Sequence, residues 1–282
     1  RSVGLAIMPG PPVIALTGGT GFVGRTVVES LTSQGQQVRA LTRRPQPPLS
    51  GVTWVEGALD TGVGLDDLCR GADRVIHIAG AVNAPDRAGF IAGNIDATQN
   101  MLSAAARVGI KRFVHISSIA ATRPELSVYG WSKAEGETRV RQSGLDCSIL
   151  RPPAVYGPGD TEIFELFKMA KMGWVLMPPP GRASYIHVAD LARLICRLAL
   201  AEGLTGAIFE ADDGVENGWS HADFARQLGQ AMGKRARVVH APAWAMRLAA
   251  RGDRLVRGPG AKLTPDRVCY MLNPNWVIDP AR

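Results

Sequence analysis

The sequence predicts an α/β protein, built as a doubly wound parallel sheet with a smaller lobe after it. Strand-like apolar runs alternate with helical spacing as far as about Leu150, the pattern of a sheet covered by helices on both faces. A cluster of glycines stands at the first strand-to-helix junction. Beyond Tyr156 the alternation gives way to helical segments separated by Pro178-Pro179-Pro180-Gly181 and Asp212-Asp213-Gly214. The expected units are therefore residues 9–155 and 156–282, the second mainly a substrate-binding lobe with some segments returning to the first.

The first strand is the continuous apolar run Val13 to Leu16, and the segment from Phe22 to about Leu31 has helical spacing. Gln37 to Thr42 alternates into a second strand, and further strands are expected near 74–78, 112–116 and 146–150. A helix is expected from Val128 through Arg141. Later helices fall near 161–172, 188–201 and 220–232, the last opened by a capping box of Ser220 and Asp223.

Between the first strand and helix lies Thr17-Gly18-Gly19-Thr20-Gly21-Phe22-Val23-Gly24. Residues without side chains let the backbone approach a pyrophosphate, while the helix N-terminus offers unpaired N–H groups and a positive dipole end. This is the dinucleotide-binding turn of a Rossmann fold. Far downstream, Tyr129 and Lys133 stand four residues apart on one helix face. An ammonium beside a phenol stabilises the phenolate and so makes tyrosine a proton donor and acceptor near neutral pH.

Taken together, these residues resemble the short-chain dehydrogenase/reductase superfamily, in its extended or atypical branch. The similarity continues through Val75 to Gly80, Asn94 to Asn100, Lys111 to Ser118, Leu150 to Gly159 and Tyr185 to Asp190. It implies a catalytic set of Ser118, Tyr129 and Lys133. Tyr129 would exchange a proton with the reacting oxygen, Ser118 would polarise that oxygen, and Lys133 would hold the nicotinamide ribose and lower the tyrosine pKa. Ser117 is the competing serine. Asn94 stands where some relatives support a proton relay, against the plainer reading of a helix asparagine bonding locally.

The same resemblance implies cofactor contacts at Gly18, Thr20, Gly21, Phe22, Val23 and Gly24, at the backbone of Leu59, at Ala79 and Gly80, and at Pro152 after Arg151. Where an NAD enzyme carries an acidic residue at the end of the second strand, this chain has Arg43 and Arg44. Two guanidiniums suit a 2′-phosphate, so NADP is the expected cofactor and NAD the alternative. Relatives often have an acidic residue at the position of Ala58 to bind adenine; this chain does not.

Sugar-nucleotide dehydratases of this type follow the catalytic serine or threonine with an acidic pair, whereas Ser118 is followed by Ile119-Ala120-Ala121. The segments 237–244 and 263–268, with Asn275-Trp276, look like the branch of 3β-hydroxysteroid dehydrogenases and dihydroflavonol reductases. That branch implies an NADP-dependent ketone reductase, or alcohol dehydrogenase, for a lipid-, steroid- or flavonoid-like substrate, with Trp174, Met177, Trp244 and Met246 in an apolar pocket. Two alternatives stay open: a sugar-nucleotide epimerase, and a non-catalytic dinucleotide sensor or assembly subunit that would need none of the catalytic three.

With 46% hydrophobic and 20% charged residues, the 282-residue chain has an ordinary globular composition and no apolar run near the ~20 residues of a membrane span. Cytoplasmic is the default location. Cys69, Cys147, Cys196 and Cys269 show no metal spacing and read as buried thiols; His77 and His115 read as satisfied core imidazoles. No metal is expected. Between Lys234 and Arg267 nine basic residues face Asp253 and Asp266, an excess equal to the whole net charge of +7. Arg247, Arg251 and Arg254 lie beside a Trp244, Leu248, Leu255 stripe, a basic amphipathic helix. It is either a solvated face or a peripheral contact with an anionic membrane, and without an aromatic series it is no nucleic-acid site. The resemblance also admits a homodimer. Met8 reads as a start, with 1–7 ahead of it, and relatives continue with a further helix after Trp276.

Overall fold

The computed structural model describes residues 11–281; Met8 and the first two residues of the 9–155 unit lie outside them. Strands β1 (Val13–Thr17), β2 (Gln37–Thr42), β3 (Val52–Glu56), β4 (Arg74–His77), β5 (Arg112–Ile116) and β6 (Asp146–Arg151) belong to one sheet. The short strands that follow are β7 (Ala154–Tyr156), β8 (Trp174–Met177), β9 (Arg182–Ala183), β10 (Tyr185–His187), β11 (Ile208–Glu210), β12 (Trp219–Ser220), β13 (Arg237–His240) and β14 (Asn275–Trp276). The large sheet runs β11-β6-β5-β4-β1-β2-β3, and its pairings are all parallel. Strand order reverses at β1, between β4 and β2, and ligands of such sheets sit at that switch point, beyond the strands' C-terminal ends.

Alternation along each strand separates two cores. Ile14, Leu16, Ile76, Val114 and Leu150 face α1 (Phe22–Ser33) and a later helix, Val188–Leu200. Ala15, Val75, Phe113 and Ile149 face the other side. That side is covered by α2 (Leu65–Cys69), α4 (Ala97–Val108) and α5 (Val128–Gln142). A short helix α3 (Arg87–Phe90) leads through a π-turn, Ile91–Asp96, into α4.

After β7 come α6 (Ile163–Lys171), α7 (Val188–Leu200), α8 (His221–Ala231), α9 (Ala243–Arg257) and α10 (Pro265–Met271). Helix α7 and β11 return to the large sheet. A separate core joins α6, α8, β8 and β9 through Ala170, Val175, Phe224 and Leu228, and a small one joins α9 to α10 through Met246, Ala250 and Val268. The capping box forms: the Ser220 hydroxyl accepts from the Asp223 N–H at 3.0 Å. No helix among the described residues is long and apolar enough to cross a membrane.

Candidate active site

The glycine turn is built by backbone contact. Gly18 has φ +80°, and a Cβ there would lie 2.8 Å from the Ala79 nitrogen. A Cβ on Gly24 would meet the Gly18 carbonyl oxygen at 2.0 Å; that oxygen accepts from the Gly21 N–H at 3.0 Å. Gly21 caps α1 without a side-chain acceptor, and the first turn carries no acidic residue. The helix end therefore presents its positive pole to an incoming anion. Thr20, Phe22 and Val23 are half-buried beside it. Thr17 ties the turn to the next loop, its hydroxyl accepting from the Ala79 N–H at 3.3 Å. Arg43 and Arg44 are exposed immediately after β2, the strand paired with β1. The turn has the features a pyrophosphate needs, close backbone approach and unpaired N–H groups at a helix start.

Leu59 lies farther along, where its carbonyl accepts from Asn100 Nδ2 at 2.7 Å. The Pro152 carbonyl accepts from the Ile119 N–H at 3.0 Å, which locks the segment after β6 to the turn carrying the serine.

Tyr129 and Lys133 share α5, one turn apart. The Ser118 side chain lies close enough to the Tyr129 phenol to lower its pKa, so the serine and tyrosine come together across eleven residues of chain, while the Ser118 hydroxyl accepts from the Ala120 N–H at 3.2 Å. Burial pushes the phenol above its ordinary range; Ser118 draws it back, Glu162 pushes it up and Arg267 draws it down. The lowering expected from Lys133 is not among these influences, and desolvation of the phenolate dominates. Lys133 is buried, and burial brings it down to about 8. Its ammonium donates to the Ile116 carbonyl at 2.9 Å.

Ser117, the competing serine, is occupied elsewhere: its hydroxyl donates to Glu137 Oε1 at 2.6 Å. Arg151 grips the same carboxylate with two N–H groups, at 2.8 and 2.7 Å. This buried pair pins α5, the helix that carries Tyr129, to β6.

Asn94 does more than bond locally. Its Oδ1 accepts from the Ala81 N–H at 2.8 Å, and its Nδ2 donates to the Ala81 carbonyl at 2.9 Å and to Ser132 Oγ at 2.8 Å. It thereby joins the loop after β4 to α5 from within a π-turn, a distortion often found at functional sites. A Cβ on Gly80 would meet Asn94 Oδ1 at 2.8 Å, so a side chain there would push Asn94 from its bonds to Ala81.

Segment 263–268, singled out above for its resemblance, supplies a third side of the site that was not foreseen. Helix α10 lies against Tyr129: Asp266 accepts from the backbone N–H of Val128 at 2.6 Å and of Tyr129 at 3.3 Å. Ser127 accepts from Gly130 at 3.0 Å, so the orphan donors at the start of α5 are met. The Tyr129 ring stands 5.9 Å from Tyr270 and 6.1 Å from Phe90, and Arg267 pairs with Glu162. Asp266→Ala is expected to lower stability by ~1–2 kcal/mol, the usual range for a lost helix cap, in denaturant unfolding. Asp266→Asn, which keeps one acceptor, should recover part of that loss; no difference between Ala and wild type would contradict the assignment.

A cavity of about 520 Å³ has Tyr156, Gly157, Phe164, Phe167, His187 and Met232 among its walls, and Ser118, Tyr129 and Lys133 are not among them. It is not lined by the residues expected. Met177 and Met246 are buried in separate cores, and Trp174 and Trp244 are exposed. Their sequence spacing carried no information about which core would claim them. Cys269 is likewise exposed, unlike the other three cysteines. His77 is satisfied by Thr17 at 2.8 Å and Thr98 at 3.2 Å. His115 stacks on it at 5.5 Å but is buried with neither ring nitrogen bonded among the described residues, and its pKa is held well below the ordinary range by burial and Lys133. No group of residues fit to hold a metal occurs among the described residues.

A glycine-lined dinucleotide cradle beside a serine–tyrosine–lysine set, on a seven-stranded parallel sheet, defines a nicotinamide-dependent enzyme of the short-chain dehydrogenase/reductase type. The chain belongs to the NAD dependent epimerase/dehydratase family, whose model matches residues 14–211. It is 37% identical to a ceramide reductase of Caulobacter vibrioides over 236 residues, 82% of this chain and 74% of that protein. It is 29% identical over 290 residues to 4-hydroxy-2-methyl-3-oxo-4-farnesyl-3,4-dihydroquinoline-1-oxide ketoreductase of Stigmatella aurantiaca, 91% of this chain and 85% of the other. The fold matches the Bordetella bronchiseptica enzyme WbmG in complex with NAD, with a TM-score of 0.72 at 24% identity, over 84% of both chains. The protein is an NAD(P)-dependent oxidoreductase.

Proposed function

We propose that the protein reduces the ketone of an apolar, lipid-like substrate with NADPH, and oxidises the corresponding alcohol in reverse. The observation that carries this reading is the convergence of three side chains: Ser118 lies beside the Tyr129 phenol and lowers its pKa, and Lys133 stands one turn along the helix that carries Tyr129. Similarity to a ceramide reductase and to a farnesylated-quinoline ketoreductase supports an apolar carbonyl.

A bound reduced nicotinamide supplies the hydride. The Ser118 hydroxyl and the Tyr129 phenol both reach the substrate oxygen, so negative charge developing there meets two donors. Burial keeps Tyr129 protonated at neutral pH, the state needed to donate. Lys133, brought to about 8 by burial, is still mainly an ammonium at neutral pH, a positive charge on the same helix that favours the phenolate left when Tyr129 gives up its proton. Ile119, Ala120 and Ala121 are buried apolar residues, where a dehydratase needs carboxylates.

Arg43 and Arg44 favour NADP through the 2′-phosphate. Arg43→Ala with Arg44→Ala is expected to weaken NADPH about tenfold or more while leaving NADH nearly unchanged, in a fluorescence titration of both nucleotides. Equal losses for the two would reject the assignment.

The function itself is tested by following NADPH consumption with long-chain keto lipids and with UDP-sugars side by side. Turnover of the keto lipid alone is expected. Interconversion of a UDP-sugar without net NADPH consumption would replace the proposal with the epimerase reading; bound nucleotide with neither reaction would replace it with a sensor.

A further inference from the structure

Helix α9 hides one face and exposes the wrong one for a soluble surface. Met246 and Ala250 turn inward against Val268 of α10. On the outside Trp244, Leu248, Leu255 and Val256 are 69%, 62%, 87% and 84% exposed. Trp244, Leu248 and Leu255 fall at i, i+4 and i+11, which a helix places on one stripe. Arg247, Arg251 and Arg254 are exposed along one edge of that stripe. None of the three has a carboxylate partner among the described residues. Isolated exposed leucines need no explanation, but a contiguous stripe with tryptophan marks a contact surface.

We propose that α9 is a membrane-docking helix that lies in the headgroup region of an anionic bilayer. An interfacial helix combines an apolar stripe carrying tryptophan and leucine with a basic flank, and α9 has both. Charge complementarity selects the lipid: the segment 234–267 carries nine basic residues against two acidic ones, the whole net charge of the chain. Each arginine near a negatively charged leaflet adds to the attraction. A protein partner would instead call for carboxylates placed to match, and a second copy of this chain would bring the same arginines face to face. The docking face stands one helix layer from Tyr129, because α9 packs on α10 and Asp266 of α10 caps the catalytic helix. The proposal concerns this surface alone and stands whatever carbonyl the site reduces.

The test is co-sedimentation of the full chain with vesicles of phosphatidylcholine, alone or mixed with phosphatidylglycerol. Binding to the phosphatidylglycerol vesicles is expected, with weaker binding at high salt. Leu248→Glu with Leu255→Glu should weaken it at least about tenfold. Arg247→Gln, Arg251→Gln and Arg254→Gln together should weaken it about 100-fold. NADPH affinity should stay unchanged in both sets, since none of these residues touches the cradle. Failure of the wild type to bind anionic vesicles overturns the proposal, as does equal binding by the leucine variant. Sedimentation velocity showing a wild-type dimer that the leucine variant splits into monomers would also overturn it, by assigning the face to a second copy.

Discussion

Tyr129→Phe is expected to leave NADPH binding nearly intact and to lower kcat by ~10²–10⁴-fold, the usual contribution of a positioned general acid. The phenol ring is held by Phe90 and Tyr270 and by the Asp266 cap behind its backbone. The phenylalanine ring therefore keeps its place, and only the hydroxyl is lost. What disappears is the proton for the nascent alkoxide and the neighbour of Ser118. Steady-state kinetics with NADPH and a keto lipid, beside a binding titration, separates the two effects. Turnover within a few fold of wild type would remove Tyr129 as the proton donor. Loss of NADPH affinity in step with kcat would show instead that the substitution disturbs the cradle.

The largest effect on stability is expected at Glu137, which no catalytic argument singles out. Its carboxylate is 1% exposed and receives Ser117, two N–H groups of Arg151 and, more distantly, Arg141. Arg151 also reaches Glu210 of β11 at 3.4 Å, so one cluster ties α5, β5, β6 and β11. Replacing Glu137 with alanine leaves a buried guanidinium short of its main partner, a loss of about 3–5 kcal/mol. For a chain of this size that corresponds to a fall in Tm of roughly 10 °C. A thermal scan of Glu137→Ala checks it, and a Tm within about 2 °C of wild type would show that Arg151 and Ser117 are held by other means.

The strands were legible wherever one apolar run had two faces to bury. β1, β2, β4, β5 and β6 fall where the sequence places them, because most residues along them meet a core on one face or the other. β3 was missed: Val52–Glu56 lies at the sheet edge, with an irregular burial pattern. β11 is three residues long, too short to show a period. The site was legible where chemistry is local in sequence. The glycine turn sits within eight residues, and Tyr129 and Lys133 within one helical turn. Asp266, Arg267 and Glu162 were not, since they reach Tyr129 across more than thirty residues of intervening chain, and nothing in a charged residue's neighbours says which distant helix it will cap. Asn94 shows the same limit from the other side: its position was flagged, but its tie to Ala81 depends on the π-turn, which has no composition of its own. The apolar residues picked for the pocket failed for the opposite reason, because tryptophan and methionine fill any core or surface that packing offers them.

Hydride delivery from NADPH to an apolar ketone leaves an isotopic mark on the product. Its most direct measurement uses NADPH carrying deuterium at the transferred position of C4, a long-chain keto lipid and the purified protein, with mass analysis of the alcohol formed. One deuterium on the carbinol carbon, with NADPH consumed mole for mole, is the predicted result. Unlabelled alcohol, or no alcohol while nucleotide stays tightly bound, would contradict it.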